Sequence, residues 1–101
     1  MDIRPAATLA ITRDSDEGLQ VLLMQRTWDA TFMPGFYVFP GGAVDDADHR
    51  CAPYLTGGDD VSVSHDMGVS SGGSHFMIAA IRECFEEAGV LLALDEQGDT
   101  L

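Results

Sequence analysis

Basic side chains are scarce in this sequence. Its 101 residues include five arginines and no lysine against 17 Asp and Glu, which gives a formal net charge of −12 at pH 7. This balance excludes the basic surface that nucleic-acid-binding proteins use, and it makes an anionic membrane surface an unfavourable partner. A phosphate-bearing ligand would need positive charge from another source, and a divalent cation is the obvious one.

Long apolar runs and cysteines are also few. The longest apolar runs, residues 36–39 and 90–94, are far too short to span a bilayer, and residues 1–5 lack the charged-then-apolar pattern of a secretory leader. Cys51 and Cys84 are too few for a disulfide framework and have no metal-site spacing. We therefore expect two reduced thiols in a cytoplasmic protein. The length and the 46% hydrophobic content fit one small folded domain.

Apolar and β-branched patterns predict four strands and one helix. The strands are expected at residues 6–11, 19–26, 36–39 and 90–94, and the first two are expected to form a hairpin. Residues 43–73 are rich in Asp, Ser and Gly, which predicts a long loop, and the part from about 49 to 73 is expected to be a mobile insertion. The helix is expected at residues 74–88, with Ser74 as its N-cap and Gly89 as its left-handed C-terminal residue.

The predicted helix has an acidic face and an apolar face. At about 100° per residue, Glu83, Glu86 and Glu87 lie on one arc. The apolar side chains lie on the opposite arc and are expected to pack against a sheet: Ile78, Ile81, Phe85 and Ala88. The acidic arc has two interpretations. The spacing alone favours a solvated helix face. The alternative is a site for a hard divalent cation, because carboxylates suit such ions, and three of them gather here despite like-charge repulsion near the negative end of the helix dipole.

The sequence around these glutamates resembles the Nudix box. Residues 82–90 read RECFEEAGV and match the second half of that pattern, REUXEEXGU, in which U is an apolar residue. All five fixed letters are present. From average residue usage, a chance match in a chain of this length has a probability on the order of a few in a million.

The first half of the box is interrupted. The run FPGG at residues 39–42 resembles the strand end and double glycine with which these boxes open, and Asp48 stands where the pattern GX5E has Glu. Between Asp48 and Arg82 lie 33 residues, where the family pattern has 7, so an insertion is expected there. A second register begins at Gly68 and puts Ser74 at the Glu position. The first register is preferred because no predicted strand leads into Gly68.

The Nudix resemblance implies a fold, an activity and a set of site residues. Nudix hydrolases share an α+β fold, an α/β/α sandwich with a mixed sheet, which this sequence would leave incomplete at its C-terminus. They cleave nucleoside diphosphates linked to another group X, with Mg²⁺ or Mn²⁺. By resemblance, the metal ligands and catalytic residues would be Glu83, Glu86 and Glu87, the backbone carbonyl of Gly41, and Arg82, which would hold the glutamates in place.

A further resemblance concerns the group X. Coenzyme A diphosphatases of this family carry LLTxR[SA]x3Rx3Gx3FPGG before the box, and residues 22–42 keep its LL, its first R, its G and its FPGG at that spacing. Three positions depart from the pattern: Met24, Thr27 and Thr31. The resemblance implies coenzyme A or an acyl-coenzyme A as substrate, with contacts from Arg26, Phe39 and Gly42. The long insertion and the sequence FMPG also resemble the peroxisomal branch of these enzymes.

Some of these residues fit a purely structural role equally well. Leu22 and Leu23 could be ordinary strand core and Gly35 an ordinary turn residue. Three aromatic residues nearby could stack on an adenine base, although such aromatics more often serve as core or loop anchors: Trp28, Phe32 and Tyr37.

Two classes of function follow. The first is a metal-dependent hydrolase of a small nucleoside diphosphate derivative, and the second is a non-catalytic Nudix-fold module that binds a nucleotide or a protein partner. The intact glutamates favour the enzyme, since a binding module need not keep all three. An open sheet edge would favour pairing, so a homodimer is one expected assembly. Neither a nucleic acid nor a membrane is expected as a partner.

Overall fold

The computed structural model describes residues 3–101. The strands in this part of the chain are β1 (Ala6–Thr8), β2 (Thr12–Ser15), β3 (Gly18–Val21), β4 (Met24–Gln25), β5 (Tyr37–Val38) and β6 (Gly41–Ala43). A 3₁₀ helix follows at Asp46–Tyr54, and then helices α1 (Asp60–Met67) and α2 (Gly73–Ala88). The α+β class predicted from the sequence is confirmed.

The strands described here pair in three antiparallel couples: β1 with β6, β2 with β3, and β4 with β5. The first couple aligns Ala7 with Gly42. The second is a hairpin, but its first strand, residues 12–15, lies outside the strand predicted at residues 6–11. Its turn ends at Gly18, whose φ of 102° favours glycine. The predicted strand at residues 6–11 is shortened to β1, and the predicted strand at residues 19–26 is divided between β3 and β4. Because every pair within residues 3–101 is antiparallel, this part of the chain does not build a mixed sheet by itself.

Helix α2 is the element against which the others pack, since β1, β6, the 3₁₀ helix and α1 all contact it. Its bounds differ from the prediction by one residue, and Gly89 ends it in the left-handed conformation, as predicted. Its buried apolar residues are Ile78, Ala79, Ala80 and Cys84. The predicted packing arc is wrong at Phe85, which is half exposed, because the neighbouring elements lie against the alanines and Cys84. Both cysteines are free, and burial raises the pKa of the Cys84 thiol.

The segment predicted as a loop is largely helical, so that prediction is wrong for most of residues 49–73. The Asp59 side chain accepts a hydrogen bond from the Ser62 N–H (2.9 Å) at the start of α1, and Gly68 ends α1 in the left-handed conformation. The helix buries Val63. Capping residues rather than apolar periodicity delimit this short helix, which is why a periodicity argument overlooks it.

The start of α2 is held by side chains from α1. The Asp60 carboxylate accepts hydrogen bonds from the Ser74 hydroxyl (2.6 Å) and from the N–H groups of Ser74 and Gly72 (both 3.0 Å). These bonds, the Ser74 hydroxyl first among them, lower the pKa of Asp60 to about 2. The predicted N-cap is wrong: Gly72 occupies that position, and Ser74 donates to Asp60 because a carboxylate from the neighbouring helix supplies the cap.

The predicted strand at residues 90–94 is wrong as well. Leu94 makes an isolated antiparallel bridge with Thr100, around a turn in which the Asp95 carboxylate accepts from the N–H groups of Gln97 and Asp99 (both 2.9 Å). A strand needs a partner along its length, and no second strand lies beside residues 90–94 in the described part of the chain. Among the helices of residues 3–101, none is both long enough and apolar enough to cross a bilayer.

Candidate functional site

The acidic face of α2 lies directly against the glycine pair at the start of β6. A Cβ atom at Gly42 would lie 2.5 Å from Cδ of Glu83 and 2.6 Å from its Oε1. The N–H of Gly41 donates to Oε1 of Glu87 at 3.1 Å. Gly41 also passes close to β1, since a Cβ there would lie 2.9 Å from Cα of Thr8. Gly41 therefore requires glycine because of the neighbouring strand, whereas a side chain at Gly42 would displace the Glu83 carboxylate.

Arg82 joins the helix glutamates to the last residue of β6. Its Nη1 donates to Oε1 of Glu83 (3.0 Å) and to Oε2 of Glu86 (3.2 Å). Its Nη2 donates to the carbonyl of Ala43 (2.9 Å). The predicted contact between Arg82 and the glutamates is therefore present. The guanidinium offsets part of the like-charge repulsion on this face of α2.

The strongest partner of Arg82 is Asp48, in the 3₁₀ helix. Nε and Nη2 of Arg82 donate to the two carboxylate oxygens of Asp48 at 2.8 and 3.2 Å, and the Asp45 N–H donates to it at 2.8 Å. Asp48 is only 3% exposed. The Arg82 hydrogen bond lowers the pKa of Asp48, and the same bond raises that of Arg82. Of the two registers considered for the first half of the box, only the one through Asp48 reaches Arg82, because Ser74 is bonded to Asp60.

Known proteins resemble this chain in sequence and in structure. No protein-family model matches it. Nudix hydrolase 7 of Caenorhabditis elegans is 39% identical over 71% of this chain and 17% of its own length. The human acyl-coenzyme A diphosphatase NUDT19 is 35% identical over 75% of this chain and 27% of its own length. The crystal structure of a Nudix hydrolase from Alicyclobacillus acidocaldarius superposes with a TM-score of 0.75 at 34% identity, over 99% of this chain and 43% of that one.

The resemblance to the Nudix hydrolase family that the sequence predicted is confirmed by these similarities. It spans less than half the length of each of these three relatives. The residues that resemble the second half of the Nudix box lie on α2 and at its C-terminal end, as expected.

The three glutamates of α2 are held by different hydrogen-bond partners. Glu83 and Glu86 are bonded to Arg82, and Glu87 is bonded to the Gly41 N–H. Within residues 3–101, no three Asp, Glu, His or Cys side chains are arranged as a group that could hold a metal ion. The chemistry of the donor set still fits a hard divalent cation, because carboxylate and carbonyl oxygens are its preferred ligands. The roles of these residues as metal ligands and catalytic groups stay predictions.

A small pocket connects the Nudix helix to the strand pair β4–β5. It has a volume of about 220 Å³ and is lined by Arg26 and Glu87 together with Met24, Gln25, Thr27, Ala30 and Val38. Arg26, predicted as a substrate contact, is thus brought beside a predicted metal ligand from 61 residues further along the chain. Gly42, also predicted, lies against Glu83, whereas the side chain of Phe39 is exposed. Its role in substrate binding stays a prediction.

Sequence reasoning overlooked two contributors to the site. Asp45 lies 3.6 Å from Nη2 of Arg82, and the carbonyl of Ala43 accepts from the same nitrogen. A signal for the first was present, since Asp45 stands three residues before Asp48 at the start of a short helix, which is the spacing of a capping pair. The Ala43 carbonyl carries no side-chain signal and could not be recognised.

Proposed function

We propose that this chain is part of a divalent-metal-dependent hydrolase that cleaves the phosphoanhydride bond of a nucleoside diphosphate linked to another group. The observation that carries this proposal is the set of contacts that hold the three glutamates of α2. The carboxylate of Glu83 lies against Gly42, that of Glu87 accepts from the Gly41 N–H, and Arg82 holds Glu83 and Glu86. The similarity to proteins named as Nudix hydrolases supports the same reaction class.

The residues that would hold Mg²⁺ or Mn²⁺ are Glu83, Glu86 and Glu87, with the backbone carbonyl of Gly41. When bound, such a cation supplies neutralising charge to the diphosphate oxygens and makes water a better nucleophile near neutral pH. Residues of the chain hold these ligands in place: Arg82 is bonded to both Glu83 and Glu86, and the Gly41 N–H orients Glu87. Metal ligands that are already in place need little rearrangement during the reaction.

An anionic substrate also needs a cation from the chain, because the net charge of −12 repels it. Arg82 is committed to carboxylates. Arg26 lines a pocket together with Glu87, and we propose that Arg26 binds a phosphate group of the substrate. Replacing Arg26 with alanine is expected to raise KM about tenfold or more, because a hydrogen bond between charged groups contributes about 1.5–3 kcal/mol.

The substrate that we propose is coenzyme A or an acyl-coenzyme A. Support comes from the motif at residues 22–42 and from the human relative, whose name gives it as an acyl-coenzyme A diphosphatase. Hydrolysis of coenzyme A at its phosphoanhydride would yield 3′,5′-ADP and 4′-phosphopantetheine. Mass spectrometry of products from coenzyme A, ADP-ribose, NADH and dinucleoside polyphosphates, with Mg²⁺ and with EDTA, tests both the bond and the substrate. Turnover of ADP-ribose without turnover of coenzyme A would reject the substrate and keep the reaction class.

Metal binding is tested separately by isothermal titration with Mn²⁺. The double variant Glu86→Gln/Glu87→Gln should lose binding, because it removes two of the three carboxylate ligands. The matched control is Asp16→Asn/Glu17→Gln, which makes the same charge change at exposed positions in the turn between β2 and β3. Equal binding by the two double variants would mean that the acidic arc is only a solvated face.

A non-catalytic nucleotide- or partner-binding module is the second candidate. It is favoured by one observation, that each of the three glutamates is already bonded to Arg82 or to the Gly41 N–H. Nucleotide binding without metal-dependent turnover of any diphosphate would support it. Two further predictions stand beside these proposals: a homodimer, measurable by light scattering, and a cytoplasmic location, measurable with a fluorescent fusion.

A further inference from the structure

The loop between β4 and β5 folds back over Arg26. The Arg26 N–H donates to the Phe36 carbonyl at 2.8 Å, and the Gly35 N–H donates to the Arg26 carbonyl at 3.1 Å. The side chain is held as well, since its Nε donates to the Phe32 carbonyl at 2.6 Å and its Cζ lies 5.8 Å from the centre of the Phe32 ring. Both ends of Arg26 are therefore fixed by residues at the far end of the same loop.

Trp28 covers the point at which this loop closes. Its indole lies on Gly35, because a Cβ atom at Gly35 would lie only 2.6 Å from Cη2 and 2.7 Å from Cε3 of the ring. Gly35 has a φ of 75°, and its carbonyl accepts from Nε2 of Gln25 at 3.1 Å. The indole is otherwise 78% exposed. Core packing does not explain its position, whereas the contact with Gly35 does.

We infer that Trp28 is a positioning residue for Arg26. The indole presses on Gly35, which keeps the loop closed and leaves the Phe32 carbonyl in reach of the Arg26 Nε. The guanidinium then stays in the pocket that it shares with Glu87 instead of sampling many rotamers. A long side chain that is already ordered loses less conformational entropy when it binds an anion.

The ligand class is a phosphate-bearing anion, and in this respect the inference rests on the proposed function. Arg13 is bonded to Gln20 in the hairpin, and Arg82 is bonded to carboxylates. Arg26 is the arginine of these three that lines the pocket with Glu87, and its acceptor, the Phe32 carbonyl, is neutral and leaves the positive charge for the ligand.

The first test needs no ligand. Hydrogen exchange of the Arg26 Nε–H, measured by ¹⁵N NMR and assigned with Arg26→Lys, should be slowed by the bond to Phe32. Trp28→Ala and Gly35→Ala should both abolish the slowing, and the conservative Trp28→Phe should keep it. The matched control is Gly68→Ala, since Gly68 has the same φ of 75° but no neighbour within 4 Å of the added Cβ. An unchanged exchange rate in Trp28→Ala would overturn the inference.

The second test asks whether this order matters for binding. The probe is α,β-methylene-ADP, which cannot be hydrolysed at its methylene bridge, titrated in the presence of Mg²⁺. Arg26→Ala should weaken binding about tenfold and Trp28→Ala about fivefold, and the double variant should be no weaker than Arg26→Ala alone. Additive losses would overturn the inference, because Trp28 would then contact the ligand itself. If the wild-type chain binds no probe, the proposed function fails for this ligand, and the exchange measurement still decides the role of Trp28.

Discussion

Replacing Asp48 with asparagine is expected to loosen the 3₁₀ helix from α2. The Asp48 carboxylate accepts two hydrogen bonds from Arg82, at 2.8 and 3.2 Å, and one from the Asp45 N–H, at 2.8 Å. Asparagine keeps the shape of the side chain, but it removes the negative charge and turns an NH₂ group toward a donor on Arg82. The variant thus replaces a buried ion pair with a single neutral acceptor.

The size of the effect follows from the burial of the two partners. Removing one partner of a fully buried ion pair destabilises a protein by about 3–5 kcal/mol. Arg82 is 25% exposed and keeps Glu83 and Glu86 as partners, so we expect about 2 kcal/mol, within the range for hydrogen bonds between charged groups. For a domain of this size, that loss corresponds to a fall in Tm of roughly 8–16 °C.

The assay is urea unfolding followed by far-UV circular dichroism at pH 7. The matched control is Asp46→Asn, which makes the same charge change at an exposed residue in the first turn of the 3₁₀ helix. Because Arg82 lowers the pKa of Asp48 in the folded state, the ion pair stabilises the protein above the ordinary pKa of 3.8. That stability is lost as the pH falls through the lower, folded-state pKa.

Two results would refute this reasoning. One is an equal loss of stability in Asp48→Asn and Asp46→Asn, which would mean that net charge and not the pair with Arg82 matters. The other is a difference between wild type and Asp48→Asn that stays constant when the pH is lowered from 7 to 2, since the stabilisation by the pair should fall once the pH is below the ordinary pKa of 3.8.

Three further predictions follow from the fold. Gly42→Ala should displace the Glu83 carboxylate, because the new Cβ would lie 2.5 Å from Cδ. It should therefore weaken Mn²⁺ binding in isothermal titration about tenfold. The control Gly18→Ala, at a glycine with no neighbour within 4 Å, should leave Mn²⁺ binding unchanged. Asp60, with a pKa of about 2, should stabilise the protein above pH 4 and lose this effect as the pH falls toward 2, so Asp60→Asn should flatten the acid limb of a urea-unfolding series. Replacing residues 55–72 with a short Gly-Ser link should abolish the cooperative thermal transition, because it removes α1 and the Asp60 cap of α2. A retained transition would show that this segment is not needed for folding.

The sequence by itself was sufficient to predict α2 and the second half of the Nudix box, whereas it placed the first strand of the hairpin too early in the chain. The helix and the box depend on residues close together in the chain: the apolar spacing and Gly89 for the helix, and nine consecutive residues for the second half of the box. Local patterns encode such elements because helix and turn hydrogen bonds join near neighbours. The same local view failed at residues 49–73, where cap residues outweigh a weak apolar pattern.

Only the tertiary structure decided which residues meet at the site. Asp48 and Arg82 are 34 residues apart and become partners because the 3₁₀ helix packs beside α2. The approach of Gly42 to Glu83 likewise depends on the packing of β6 against α2, and the failure of residues 90–94 to form a strand depends on the lack of a pairing neighbour within residues 3–101. These outcomes are set by the path of the intervening chain and by the partners that it provides. Hydrophobic periodicity and capping signals report only the local backbone, so they predict neither the path of the chain nor its tertiary contacts.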